Sequence, residues 1–376
     1  MALNLAALAT AGCTVFQDFG YQPDGAAMTL PPLAERPRLD PISRNYFILE
    51  SADQGVVGEP QVVFTRATDT FSDLAREYGL GYDELVEANP GVDPWLPRVN
   101  TPILLPTQYV LPDVPRQGIV LNIASKRLFY FPKVIDGEPI QVMTFPIGIG
   151  RLGWETPLGE ASVVSRATNP TWYVPASVRK EHAEAGDPLP AVVPPGPDNP
   201  LGRHVLKLDM PGYLLHGTNQ PYGVGMRVSH GCVRLYPENI ELLYTLVAIG
   251  EKVNIINEPF LAGWRDGELF FESHRPLEDD AVSPEQHLQA IFDTVRKQSG
   301  AFAEQEEMDQ AKAIASAALG VPVRVLAGDT QEVFARSRIV KNTVTIDPDA
   351  PTLAEVRELL DEVQDELTQP EAVSSD

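Results

Sequence analysis

With two cysteines in 376 residues, Cys13 and Cys232, the chain has no disulfide framework from which its compartment could be read. Basic residues are also scarce. Lysine and arginine number 29 against 52 aspartates and glutamates, giving a formal charge of -23 and a pI near 4.6. Such a surface repels phosphate backbones and offers no basic membrane patch, which excludes nucleic acid as a partner. No apolar run reaches the roughly 20 residues of a membrane-spanning helix, and the stretch Leu3 to Gly12 is too short. Long helices are disfavoured too, since 35 prolines against 28 glycines suit short strands, extended linkers and irregular loops. What is present is an ordinary globular share of apolar residues, 43%, and length enough for two or three compact units.

Chemistry concentrates in one stretch, Leu215 to Arg234, where Cys232 is accompanied by His216, His230 and Arg234. A free thiol is only a few per cent ionised at neutral pH, so a nucleophilic cysteine needs a base or a cation beside it. Tyr213, Leu214 and Leu215 before His216, and Val233 and Leu235 around Arg234, read as short strands. Gly217, Gly223, Gly225 and Gly231 allow tight turns between them. Two other readings use the same residues: an inert buried cysteine, or a zinc site of one cysteine and two histidines.

The string His216, a loop, Ser229-His230-Gly231-Cys232, Val233 and Arg234 resembles the signature of the L,D-transpeptidases, the YkuD family of bacterial cell-wall enzymes. The resemblance implies Cys232 as nucleophile, His216 as its general base and the carbonyl of Gly217 as the group orienting that base. Backbone N–H groups near Gly231 and Cys232 would hold the oxyanion, while His230 and Arg234 shape the pocket. Ser229, Thr218, Tyr222 and Trp172 are the expected substrate-binding residues. The implied fold is mainly β, a YkuD-type β-sandwich, over residues 117–257, with neither cofactor nor metal required.

Before it, residues 45–112 run strand, helix, helix, strand, with Asp69 or Thr70 as N-cap, Gly79 as stop and an insertion or an added strand ahead of Val62. The phrases Asp69-Thr70-Phe71, Ala88-Asn89-Pro90-Gly91 and Ile103-Leu104-Leu105-Pro106 make this segment similar to the LysM module that binds peptidoglycan glycan. The competing reading is a small helical cap on the next domain. Residues 1–13, ending Leu8-Ala9-Thr10-Ala11-Gly12-Cys13, resemble a signal with a lipobox, making Cys13 a lipidation site; 14–44 is a proline-rich linker. The proline-rich stretch Gly186 to Gly202 reads as a surface loop able to cover the site, and Glu238 to Ala248 as an amphipathic helix beneath it. An appended strand pair follows over 258–280, then an acidic α-helical tail over 281–376 with helices at Pro284 to Gln298, Gln305 to Ala318 and Thr352 to Leu367.

The implied protein is an envelope or periplasmic peptidoglycan L,D-transpeptidase that forms a cysteine thioester with a stem peptide, releases D-alanine and passes the acyl group to an amine. Its expected partners are stem peptides and glycan, an outer-membrane lipoprotein as acceptor, and carbapenem β-lactams as inhibitors, with a membrane reached only through a lipid anchor. Resolution of the thioester by water, as in a carboxypeptidase or amidase, and a non-catalytic wall-binding protein are the alternatives.

Overall fold

The structure is a computed structural model that describes residues 32–42, 45–280, 282–300, 305–326 and 330–345. Cys13 with its lipobox, much of the linker and the helix expected at Thr352 to Leu367 lie outside the described residues. The chain divides into two compact units, Met1–Arg36, whose described part is a 3-10 turn over Leu33–Glu35, and Pro37–Asp376.

The second unit opens with β1 (Tyr46–Ile48), β2 (Val56–Gly58), β3 (Gln61–Phe64), α1 (Phe71–Glu77), α2 (Tyr82–Ala88), β4 (Pro102–Leu105) and β5 (Gln108–Val110). Thr70 is the N-cap of α1: its side chain accepts from Asp73 N while Asp73 reaches back to the Thr70 N–H, a reciprocal cap that stabilises such a helix by about 1 kcal/mol. Strands β3 and β4 pair antiparallel around the two helices, and β2 pairs instead with β5, so the added strand ahead of Val62 forms its own ribbon. Phe71, Leu74, Tyr78 and Leu85 fill the small core between helices and sheet.

The next elements are β6 (Gly118–Asn122), β7 (Arg127–Phe131), β8 (Gln141–Pro146), β9 (Ile149–Gly150), β10 (Gly159–Thr168), β11 (Trp172–Tyr173), α3 (Ala176–Glu184), β12 (Val192–Val193), β13 (His204–Leu208), β14 (Leu214–His216), β15 (Arg227–Ser229), β16 (Val233–Arg234), α4 (Pro237–Leu246) and β17 (Lys252–Ile256). The expected β-sandwich is built as one large sheet of nine strands, ordered β1-β8-β7-β6-β17-β10-β13-β14-β16. It curls because β10 changes partner along its length. Gly159 to Ser162 pair with β17, Val163 to Thr168 pair with β13, and the register shifts at the join, as a bulge does when it bends a strand. Ile119, Leu121, Leu128, Leu206, Leu215, Val233 and Val253 line the inner face, sealed by Ile240 and Leu243 of α4. The other face is buried as well, with Val120, Phe129, Phe131 and Val142 packed on Val57, Tyr109 and Leu111. Burial on both faces explains why β6 and β7 carry unbroken apolar runs.

Then come β18 (Phe260–Arg265), β19 (Glu268–Ser273), α5 (Pro284–Ser299), α6 (Gln305–Ala317), β20 (Val323–Arg324), α7 (Thr330–Arg336) and β21 (Arg338–Val340). β18 and β19 pair antiparallel along their whole length. Through its described residues, the segment read as a helical tail is tied in: β20 pairs with β19, and β21 runs parallel to β3. Val340 enters the core of the small module, and Tyr78 Oη donates to the Lys341 carbonyl at 2.8 Å. Strands of two and three residues are too short to show a period, so only their partners reveal them.

The module over 45–112 is joined to the large sheet by buried groups. Arg127 of β7, 1% exposed, meets Glu84 of α2, 7% exposed, with Nε–Oε1 at 2.8 Å and Nη2–Oε2 at 2.7 Å. Arg127 also donates to the Gly79 carbonyl and to Thr144 Oγ1 at 3.2 Å each, and its guanidinium lies 4.2 Å over the Tyr109 ring. Breaking such a pair from one side strands a charge in the interior. Glu84→Ala is expected to cost about 3–5 kcal/mol, read as a large fall in melting temperature. A melting temperature within a degree or two of the parent protein's would show that the pair does not couple module and sheet.

Candidate active site

Strands β14 and β16 run parallel with Leu215 opposite Val233 and His216 opposite Arg234. Leu215 and Val233 point into the core, so alternation puts His216 and Arg234 together on the opposite face, with Cys232 one residue ahead of Val233 on the same edge. The register therefore gathers His216, Arg234 and Cys232.

His216 is 4% exposed, and its Nδ1 lies 2.6 Å from the Gly217 carbonyl. A carbonyl can only accept, so Nδ1 carries the proton and Nε2 keeps its lone pair. Burial, then the charge of Arg234, push the imidazole down to about 3, which keeps it neutral at ordinary pH. The Cys232 sulfur donates to the Gly212 carbonyl at 3.5 Å. Burial pushes this thiol above its usual value, opposed by the Leu214 backbone and the charge of Arg234. Arg234 is itself lowered by burial, faces Cys232 and Tyr222, and forms no ion pair with a described carboxylate. The resting site thus holds a neutral thiol and a neutral imidazole rather than a thiolate with an imidazolium.

The turn into Cys232 is held by small groups. Gly231 sits at φ +97°, where an added Cβ would come within 3.0 Å of the Tyr213 ring, so glycine is required on both counts. Ser229 Oγ accepts from Gly231 N at 3.2 Å and donates to the Cys232 carbonyl at 2.5 Å, while Thr156 Oγ1 donates to the Gly231 carbonyl at 3.0 Å. Ser229, 1% exposed, braces the turn, and it engages the Gly231 N–H expected to serve the oxyanion. Thr218 is likewise buried, its Oγ1 accepting from Gln220 N at 2.9 Å within the loop. Tyr222 stands exposed on the rim beside Arg234, and Trp172 lies on the β11–β12 ribbon ahead of α3.

The loop between His216 and Ser229 leans on the small module. Gly225, at φ +88°, approaches so closely that a Cβ there would lie 2.3 Å from Gly81 Cα, and Tyr82 N donates to the Val224 carbonyl at 3.2 Å. Around His230 stand residues that sequence reasoning missed. Its Nε2 lies 3.1 Å from both Arg151 Nη2 and Glu181 Oε2, its ring meets Trp154 edge-on at 4.9 Å, and His182 is 5.9 Å away. Burial, then Arg151, lower His230 to about 4. Arg151 directly follows the glycine-rich Gly148-Ile149-Gly150, a signal that could have found it. Helix α3, which carries Glu181 and His182, buries only Val178 and so shows no apolar period. Among the described residues no cluster of three or more His, Cys, Asp or Glu is arranged to hold a metal ion, and no helix is long and apolar enough to cross a membrane.

A family model described as the L,D-transpeptidase catalytic domain matches residues 116–255. The probable L,D-transpeptidase YcfS of Escherichia coli K12 is 39% identical over 291 residues, covering 76% of this chain and 89% of that protein. The probable L,D-transpeptidase YbiS of the same strain is 44% identical over 226 residues, covering 59% and 72%. Among solved structures, the Ldtfm–avibactam carbamoyl enzyme aligns over 42% of this chain and 55% of its own, at 21% identity with a TM-score of 0.29, a superposition too partial to bear on the fold.

The neutral resting pair sets a pH dependence. A thiol raised above its usual value, about 8.5 in an unperturbed cysteine, gains thiolate only as the pH climbs past that value. Alkylation of Cys232 by iodoacetamide is therefore expected to keep accelerating beyond pH 8.5, with no plateau near neutrality. A rate already level between pH 5 and 7 would show a preformed thiolate–imidazolium pair instead.

Proposed function

The chain belongs to the L,D-transpeptidase family, and we propose that it acts on peptidoglycan stems through a thioester on Cys232. The observation that carries this reading is the 2.6 Å contact of His216 Nδ1 with the Gly217 carbonyl, which puts the ring proton on Nδ1 and leaves the lone pair on Nε2, on the strand edge that bears Cys232. As the sulfur attacks the carbonyl of the diamino acid at the third stem position, Nε2 takes the thiol proton. The carbon–sulfur bond forms and the carbonyl oxygen becomes an oxyanion. With the Gly231 N–H engaged by Ser229, the Cys232 N–H is the donor assigned to it, a kind of contact worth about 2.7–4 kcal/mol. The carbon–nitrogen bond then breaks, His216 returns the proton to the amine of the departing D-alanine, and a thioester remains. An acceptor amine attacks it, gives a proton to His216, and expels the sulfur, which recovers its proton. Arg234, with no described carboxylate to neutralise it, favours the developing thiolate.

The acceptor is proposed to be the amine of a second stem or a lysine of an outer-membrane lipoprotein, in a periplasmic or envelope setting. The segment 45–112 is proposed to bind glycan in the manner of LysM while bracing the loop before Ser229. Carbapenems are proposed as acylating inhibitors of Cys232.

Cys232→Ala is expected to lose activity on a tetrapeptide stem altogether while keeping its melting temperature. His216→Ala should lower the initial rate by about 10²–10⁴-fold, and His230→Ala by less. The opposite order would exchange the roles of the two histidines. Mass spectrometry of stems after incubation separates crosslinked from trimmed products, and a trimmed product alone would replace transfer with hydrolysis. Incubation with excess imipenem should add the mass of one carbapenem to the protein and none to Cys232→Ala; an unchanged parent mass would contradict an acylating thiol at 232.

A further inference from the structure

Helix α3 is held over the motif by little apolar surface. Val178 is its one buried side chain, and beyond it Glu181 ties the helix to Arg151 and to His230. Arg151 and Glu181 side chains are 39% and 35% exposed, so their ion pair is open to solvent and adds little by itself to stability. The arrangement is also over-subscribed at His230. A neutral imidazole Nε2 has either one N–H or one lone pair, and it cannot both accept from Arg151 and donate to Glu181, each 3.1 Å away. One cation and one carboxylate thus stand beside His230, two residues from Cys232 in the chain, accessible, paired chiefly with each other, and attached to a helix with few contacts of its own.

We propose that Arg151 and Glu181 form a specificity pair for a zwitterionic side-chain terminus on the stem's diamino acid, Arg151 taking its carboxylate and Glu181 its ammonium. The inference rests on the stem reading above. A diaminopimelyl residue carries both groups on one carbon, three methylenes beyond its α-carbon, and its two charges would replace the protein's own pair without stranding either partner. Lysine offers the ammonium but no carboxylate, leaving Arg151 without its new acceptor. Opening the Arg151–Glu181 pair would release α3 to reseat over the bound stem. The backbone of Arg151 is anchored while its side chain exchanges partners, since its N–H donates to the Ser229 carbonyl at 3.1 Å and its carbonyl accepts from Trp154 N at 2.8 Å.

The test compares kcat/KM of the full chain on two soluble tetrapeptide stems ending in D-alanine, one with meso-diaminopimelate and one with lysine at the third position. The parent protein is expected to prefer the diaminopimelyl stem by about tenfold or more, as one charge-assisted contact allows. Arg151→Gln should collapse that ratio toward one, chiefly through KM. With a tripeptide stem supplied as acceptor, acetylating the distal amine of the tetrapeptide donor should slow the parent protein more than Glu181→Gln. Melting temperature and the imipenem adduct on Cys232, measured on the same samples, establish that each variant is folded with a competent thiol. A stem ratio unchanged in Arg151→Gln overturns the inference alone. A parent protein that takes up imipenem yet consumes neither stem overturns the stem reading, and the inference falls with it.

Discussion

The buried contact of Arg127 with Glu84 obliges two parts of the chain to fold as one body. A guanidinium and a carboxylate this deep are tolerable only while each satisfies the other, so helix α2 cannot leave strand β7 without leaving a charge uncompensated in the interior. Everything near the pair is fitted to that constraint. The Gly79 and Gly81 backbones complete its hydrogen bonds, Tyr109 covers it, and the ribbon of β2 and β5 closes the outer face of the large sheet. The far end of the described chain returns to the same place, where β21 adds a strand beside β3.

This docking reaches the chemistry through backbone. The N-terminus of α2 lies against Gly225 with no room for a side chain on either partner, and the Val224 carbonyl is held by Tyr82 N. The loop that leads from His216 to Ser229 therefore has a fixed wall on one side. The segment over 45–112 is thus part of the frame around the motif, and its removal would uncover Phe129, Phe131 and Val142. Burial has a second effect. It favours the neutral form of both the Cys232 thiol and the His216 imidazole.

Across the motif, α3 is the opposite kind of structure. Where α2 is fixed by a fully buried pair, α3 is held by one buried valine and a pair of half-exposed charges. The motif is thus fixed by buried groups on the side of α2 and held by exposed charges on the side of α3.

Short range set the limit of what could be read from the chain alone. Cys232, His216 and Gly217 stood out because fewer than twenty residues separate His216 from Cys232, and one loop is enough to bring their strands side by side. The hairpin of β6 and β7 and helices α1, α2 and α4 were legible for the same reason, since period and capping are local. Which way the Ser229 and Thr218 hydroxyls turn was not legible, since composition carries no direction; in the fold both meet backbone. Only the tertiary structure brought Arg127 to Glu84, Gly225 to Gly81, Arg151 and Glu181 to His230, and β21 to β3. Each of these joins residues distant in the chain through the order of strands in a curled sheet, and a charge or a glycine carries no mark of its partner until that order exists.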